Sequence, residues 1–558
     1  MNELSSKVTR LISHVLGLGF LLIPISCTSY LNDNYTPTKW AVVYALSLMA
    51  LLCSLFNKSA AFKLPKLGWG APLLFSLGFF YLLGMVLHAP GPFENSILDT
   101  ITLVSITFIS FNLFSKNSGI LLVLLRYNFF ATLLVVAYSF CQMGGFELFE
   151  SLRHNEFPVS FFGFQNMTAE FLGLSILMQI AHVYFKQRLE GGHKQIKKLI
   201  LIAVPLLVLS FSLLLILKSR AAILSLGLGL VPLAFMGWPV KLKKFAFAGV
   251  VLLALGGLSY AVRLELRSAN SNDPLDAIKR TNSSIRLIRW QNTLELIKDH
   301  PFGVGPGNFE FSYLSYRDRH GLDPEASETM IAKSPHNGYL QALSDSGILY
   351  TIILLLSIGW LAALNMSKSK GPFDISKALP LGILIFILVD AGVAFPMENA
   401  YPFFVMAVFL GQMISVFEPV ANSDRGAQAL LGVLSLITLY LGPAFVFSKW
   451  IEANEPEDRT LNDIACGLFT SNWRTCLNLA QIDLKMHHPL EAEKTLQSVL
   501  KRSPNHFVAL KLLSFASFEQ KKPGLACVAL SKYDFLFSNS SSMHKAYIDL
   551  CNGSPNSH

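Results

Sequence analysis

The sequence predicts an all-α polytopic membrane protein, and three observations carry that reading. Only 15% of the 558 residues are charged, against about 25% in soluble domains. Mean hydropathy is +0.47, and 52% of residues are hydrophobic. The apolar residues also gather in blocks of about 20, the length at which a helix crosses a bilayer. An ordinary soluble enzyme, a disordered chain and a fibrous repeat are thereby excluded.

Taken in order, the blocks predict about 12–13 spanning helices, centred on 11–30, 40–56, 68–88, 97–114, 119–141, 169–185, 199–217, 221–239, 245–262, 346–366, 378–396, 400–417 and 428–448. The first follows Lys7 and Arg10, is long for a signal peptide and ends without a small-residue cleavage site, so it reads as a retained helix. Basic residues set the orientation. With the N-terminus in the cytoplasm, the inner connections hold Lys58, Lys63, Lys66, Lys116, Lys186, Arg188, Lys194, Lys197, Lys198, Lys241, Lys243, Lys244, Lys368, Lys370, Lys377 and Arg425. The short outer turns hold only Lys39, Arg153, Lys218 and Arg220. Two polar regions therefore lie outside, a large loop at 263–345 and a tail from about Lys449 to His558. No ATP is present there, so chemistry on that face needs a substrate that arrives activated. The net charge of +9 follows from this topology; no long basic stripe with interleaved aromatics points to nucleic acid.

The chain divides into a transmembrane domain, 1–450, and a helical domain, 451–558. Within the latter, turn signals at His488-Pro489, Ser503-Pro504 and Lys522-Pro523 separate amphipathic segments. Ala492 and Leu496 recur 34 positions on as Ala526 and Leu530, the period of a tetratricopeptide repeat. Two repeats are few for independent stability, so the unit is expected to lean on the membrane domain or the outer loop, and to offer a docking surface for a periplasmic partner. His487 and His488 read as surface residues on different faces of a helix. Cys27, Cys53 and Cys141 read as small buried hydrophobes. No metal-ligand spacing appears among the cysteines, and a Cys466–Cys476 disulfide is compatible with a periplasmic tail without being fixed by spacing.

The chemistry is expected around the outer loop. From Ser283, taken as an N-cap, to Lys298, the residues Leu287, Trp290, Leu294 and Ile297 form one helical stripe and Arg286, Arg289 and Thr293 another, presenting arginines outside the bilayer. The run Pro301-Phe-Gly-Val-Gly-Pro-Gly307 lacks a preceding strand and a following Gly-Lys, so it reads as a tight turn rather than a phosphate cradle. His336 lies at the outer end of the tenth span. Arg220 is held at the outer boundary with almost no loop around it, and Asp390 is an acid within an apolar segment; both are functional candidates by position.

Together, Phe162-Gly-Phe-Gln-Asn-Met-Thr-Ala169, Lys218-Ser-Arg-Ala221, Arg286-x-x-Arg-Trp290, His300-Pro-Phe-Gly-Val-Gly-Pro-Gly307 and His336-Asn-x-x-Leu-x-x-x-x-Asp-x-Gly347 resemble the O-antigen ligase superfamily over about residues 160–415. That superfamily also contains O-antigen polymerases and bacterial protein O-oligosaccharyltransferases. Gly338, where a bulkier residue is common, and the repeat tail depart from its usual pattern. The resemblance implies a GT-C-like glycosyltransferase of the bacterial inner membrane. Its donor would be a glycan on undecaprenyl pyrophosphate, and its acceptor a hydroxyl of lipid A-core or of a protein. It implies His336 as the general base and Arg220 and Arg289 as the arginines handling the pyrophosphate, with Arg286, Asn166, Asn337 and Asp390 as substrate-binding candidates and Glu398 competing with Asp390. No cofactor is expected. No outer Asp-x-Asp or His/carboxylate cluster suggests a metal, so transfer is expected to be metal-independent. Alternatives are a polymerase joining lipid-linked repeat units, a protein O-oligosaccharyltransferase, and a transporter of lipid-linked sugars. The last predicts an inverted repeat, and none is visible between the two halves.

Overall fold

The computed structural model describes residues 3–56, 62–148, 157–190, 193–237, 274–327, 332–367, 375–537 and 543–552, apart from positions 29, 32, 34, 69, 89, 90, 92, 118, 325, 421 and 422. It is an all-α polytopic membrane protein. Helices occupy twelve of the thirteen expected segments: α1 (Glu3–Ile25), α2 (Thr36–Leu55), α3 (Gly70–Leu87), α4 (Glu94–Lys116), α5 (Ile120–Met143), α6 (Gln165–Glu190), α7 (His193–Ile216), α8 (Arg220–Gly237), and, after the outer helix α9 (Pro274–Asp299), α10 (Gly338–Ser367), α11 (Ile375–Ala391), α12 (Ala400–Ile414) and α13 (Asp424–Asn454). The segment at 245–262 lies outside the described residues. Among the described residues eight helices are long and apolar enough to span by themselves. Helices α7, α8 and α11 carry internal prolines at 205, 232 and 380, which remove a ladder donor where neighbouring helices can compensate.

Aromatic packing holds the bundle centre. Phe20 of α1 meets Tyr401, Phe404 and Phe409 of α12 edge to face, at ring separations of 5.4–6.4 Å. Tyr401 donates to Asn128 of α5 at 2.6 Å, and Ser175 of α6 donates to the same amide oxygen at 3.1 Å. Lys39, buried at the start of α2, donates to the carbonyls of Ile23, Pro24 and Ser26 and so caps the end of α1. Cys141 is exposed rather than buried, and Cys27 and Cys53 are only half-buried; apolar surroundings in a bilayer do not require burial within the protein.

Helices α8 and α11 run antiparallel and touch backbone to backbone. A Cβ at Gly382 would lie 2.5 Å from the carbonyl oxygen of Gly229, and one at Gly229 would lie 2.8 Å from that of Gly382. Small residues permit such approach where no hydrophobic effect drives helices together. Gly382→Ala is therefore expected to lower the unfolding midpoint in detergent, with a stability cost of about 1–3 kcal/mol, as overpacking generally costs. An unchanged midpoint would show that the bundle yields at this contact.

The connections segregate to two faces. On one, Lys66 and Val420 exchange backbone hydrogen bonds with Glu418 and Leu64, pairing the α2–α3 connection with the α12–α13 connection. On the other, the C-terminal helices α14 (Arg459–Leu468), α15 (Trp473–Lys485), α16 (Pro489–Arg502), α17 (Phe507–Glu519) and α18 (Pro523–Phe537) gather with the outer loop. Ser471 and Thr470 donate to Glu94 at the start of α4, and Trp473 donates to Glu310 of the loop.

The hairpin α15–α16 repeats as α17–α18 at an offset of 34 residues, with Pro489 and Pro523 in the first turns of the second helices and His487 and Lys521 in left-handed turns before them. His487 and His488 are exposed, as expected, but lie in this turn and not on a helix. Buried Ala492, Leu496, Leu510 and Tyr533 share one hydrophobic cluster with Leu296, Phe309, Tyr313 and Leu314 of the loop. The tail thus leans on the loop. Two disulfides, Cys466–Cys476 and Cys527–Cys551, fasten it.

Candidate functional site

The glycine-rich run is a backbone clasp. Gly347 interrupts α10 at φ 87°, ψ 171°, splitting a short outer helix from the spanning one. The run 301–307 lies against this break: Val304 N–H donates to Ser344 O at 2.8 Å, Gly305 N–H to Asp345 O at 3.0 Å, and Ile348 N–H to Pro301 O at 2.9 Å. Gly303 sits at φ 83°, where a Cβ would fall 2.4 Å from the Asp345 carbonyl oxygen. Positive φ and the close approach both demand glycine there.

This clasp fixes the outer half of α10, and His336 stands two residues before it. The backbone of His336 is left-handed, at φ 54°. Such a conformation is uncommon for a residue with a Cβ and persists where neighbours over-determine it. The neighbours are visible. On one side Trp290 of α9 donates its indole N–H to Pro335 O at 2.8 Å. On the other, the Asn337 carbonyl oxygen accepts from the N–H groups of Tyr339 and Leu340, capping α10, while its amide donates to Gly392 O at 2.7 Å. Gly338 N–H donates to Ala394 O at 3.0 Å, and a Cβ there would approach Ala391 at 3.1 Å. The small residue at 338 therefore serves close docking of α10 on the end of α11. The imidazole is half-buried and packs 5.0 Å from the Phe395 ring. Asn337 thus holds this turn through both ends of its amide.

The arginine helix buries much of the stripe expected to be polar and exposes part of the one expected to be apolar. It starts at Pro274, not at Ser283. Its buried side is Arg289, Asn292, Thr293, Leu296 and Ile297, whereas Leu287 and Leu294 are more than half exposed. The cause is Asp323, 34 residues away: Arg289 Nε and Nη2 bind its two carboxylate oxygens at 2.7 and 3.0 Å, with Tyr313 donating to the same carboxylate at 2.9 Å. A guanidinium matched bidentately by a carboxylate can be buried where a lone one cannot. Arg289 is thus an internal anchor of the outer loop in this structure, and Arg286, one turn earlier and half-buried, is the arginine of that motif nearer the surface.

Arg220 is exposed at the first position of α8. Gln165 donates to Leu217 O at 2.6 Å, which ties the start of α6, with exposed Asn166, to the Lys218-Ser-Arg220 turn. From the Gly229–Gly382 crossing, Arg220 and Ala391 are displaced equally toward the same face, about 13 Å along each helix. Arg220 therefore stands level with the residues that hold His336. Asp390 is withdrawn into the bundle beside Glu170, whose carboxylate accepts from Asn399 Nδ2 at 2.5 Å. Its competitor Glu398 lies on the face of Arg220 and His336, in a cleft of about 300 Å³ shared with Trp40, Asp99, Lys333 and Arg474. Burial pushes the Glu398 carboxyl up to about 8, with Asp345 and Asp99 adding to the rise and Lys333 opposing it. Glu170, Asp323 and Lys333 escaped the sequence reading. Glu170 alone left a signal, as an acid in an apolar helix. A cavity of about 600 Å³, lined by Asn365, Lys377 and Gln412, opens on the opposite face.

Residues 205–355 match the family model described as O-antigen ligase. The match supports the O-antigen ligase/polymerase superfamily, and it contains Arg220, Arg286, Arg289, His336 and Asn337. Asn166 and Asp390 lie outside it. No curated protein matches the chain.

Proposed function

We propose that this chain, whose residues 205–355 match the O-antigen ligase family model, transfers a glycan from undecaprenyl pyrophosphate to an acceptor hydroxyl on the periplasmic face of a bacterial inner membrane. The observation that carries the reading is the construction around His336: a left-handed backbone clamped by Trp290 and Asn337, with the imidazole left half-exposed over Phe395. The two disulfides in the tail favour an oxidising compartment and so agree with the periplasmic orientation drawn from the basic residues.

In this mechanism His336 takes the proton of the acceptor hydroxyl, with a reference pKa near 6.5 suited to the task. The oxygen attacks the anomeric carbon as the bond from that carbon to the pyrophosphate oxygen breaks. Undecaprenyl pyrophosphate leaves with the charge that Arg220 and Arg286 stabilise, guanidiniums standing where a metal ion stands in other transferases. Arg289 acts at one remove, by fixing α9 through Asp323 so that Trp290 holds the His336 turn. Acceptors compatible with this chemistry are lipid A-core, a protein hydroxyl, or a second lipid-linked glycan.

Arg220→Lys tests the clamp. A point charge replaces a planar fork, so kcat/KM for the lipid-linked donor is expected to fall at least tenfold with folding unchanged. Full activity in the lysine variant would show that Arg220 only reaches for lipid headgroups.

A further inference from the structure

We propose that the cleft between the outer loop and the C-terminal helices binds an anionic saccharide, making the C-terminal domain part of substrate recognition. This rests on the glycan-transfer reading for its setting, but binding is measurable without transfer. The cleft encloses about 370 Å³ and is built from three parts of the chain: His88 beyond α3, loop residues including His300 and Tyr316, and the α16–α17 turn with Lys501 and Arg502. That volume falls in the range of small-ligand sites, which bury a few sugar-sized rings.

Charge is the first argument. No acid lines the cleft. Several other basic groups of the tail are ion-paired: Lys449 and Arg474 with Glu452, Arg459 with Asp483, Lys485 with Glu457, and Lys522 with Glu493. Among the described residues Lys501 and Arg502 have no ion-pair partner, although they stand at the mouth of a concave site. His88 donates or accepts through Nδ1 at Gly84 O, 2.8 Å away, which leaves its other ring nitrogen for a ligand.

Shape and chemistry of the walls supply the second. Tyr316 and His300 meet edge to face at 6.3 Å, and Arg319 covers Tyr316 at 5.7 Å. Aromatic faces beside hydroxyls and cations suit a ring that is apolar on one face and hydroxylated at its edge. The walls are fixed in advance: Asn505 donates to Ser315 at 3.1 Å, and Phe311 stacks on the fully buried His506 at 4.2 Å. A preformed site avoids the ordering cost of binding. Position is the third. The loop that forms the cleft's floor is hydrogen-bonded through Val304 to Ser344, about 9 Å of helix from the start of α10 beside His336. An extended glycan can span both.

The test uses the full chain in detergent, with a fluorescent oligogalacturonate hexamer, maltohexaose as the neutral counterpart, and vesicles containing phosphatidylglycerol as a headgroup control. Oligogalacturonate is expected to bind with an affinity that falls as salt rises, and maltohexaose at least tenfold more weakly. The double variant Lys501→Ala/Arg502→Ala should lose at least tenfold in oligogalacturonate affinity with an unchanged unfolding midpoint, since both side chains reach solvent. Absence of oligogalacturonate binding, equal binding of the neutral hexamer, or an unaffected double variant would overturn the proposal. So would binding to the vesicles alone, which would identify a lipid-headgroup site. None of these arms uses the lipid-linked donor, so their failure leaves the transfer reading standing.

Discussion

Replacing His336 by alanine is expected to abolish glycan transfer while leaving expression and the unfolding midpoint close to wild type. General-base catalysis typically contributes about 10²–10⁴ in rate, so the residual activity should lie in that range below wild type. Alanine at φ 54° carries some backbone strain of its own. His336→Asn removes that ambiguity, because asparagine adopts the left-handed conformation readily and has no basic nitrogen. If the asparagine variant folds normally and is as inactive as the alanine variant, the loss belongs to the proton transfer. Wild-type rates in either variant would remove His336 from the mechanism and leave its elaborate support without a chemical purpose.

The largest stability effect is expected at the buried pair. Asp323→Ala strands the Arg289 guanidinium in an apolar setting and should cost about 3–5 kcal/mol, visible as a collapse of the folded outer loop in limited proteolysis. Arg289→Met combined with Asp323→Leu removes both charges and fills the volume, so it should recover most of that loss. The pair of variants also separates two roles for Arg289. If it positions α9, the double variant regains transfer together with stability. If it binds pyrophosphate directly, the double variant is stable and inactive. The geometry favours recovery, because the Nε/Nη2 edge of the guanidinium is already engaged by Asp323 and the side chain is buried.

Features set by the local chain were legible in the sequence. Apolar length gave the helices, the 34-residue recurrence gave the paired hairpins, and the glycine run correctly read as a turn for close backbone approach. Features set by a distant partner were not. Arg289 was assigned to the solvent side of α9 because hydrophobic periodicity counts it as polar, while Asp323 makes it a core residue. The capping role of Asn337 was not legible, since a cap is recognised only when the helix start is known. Asp390 and Glu170 sit together from helices 220 positions apart in sequence, a contact no spacing rule contains. Arg220 opens α8 one residue from the start expected for that span, whereas α10 begins at Gly338, eight residues before the expected start, and so brings His336 next to a helix.

The central claim is transfer from a polyprenyl-pyrophosphate glycan to a hydroxyl with His336 as the base. Its most direct measurement supplies the purified protein with a radiolabelled undecaprenyl-pyrophosphate glycan and offers lipid A-core, a pilin-like protein and excess lipid-linked glycan in parallel. The account predicts label on one of these acceptors with wild type and none with His336→Asn. Donor recovered intact from every reaction, together with its translocation across reconstituted vesicles, would contradict it and identify a transporter.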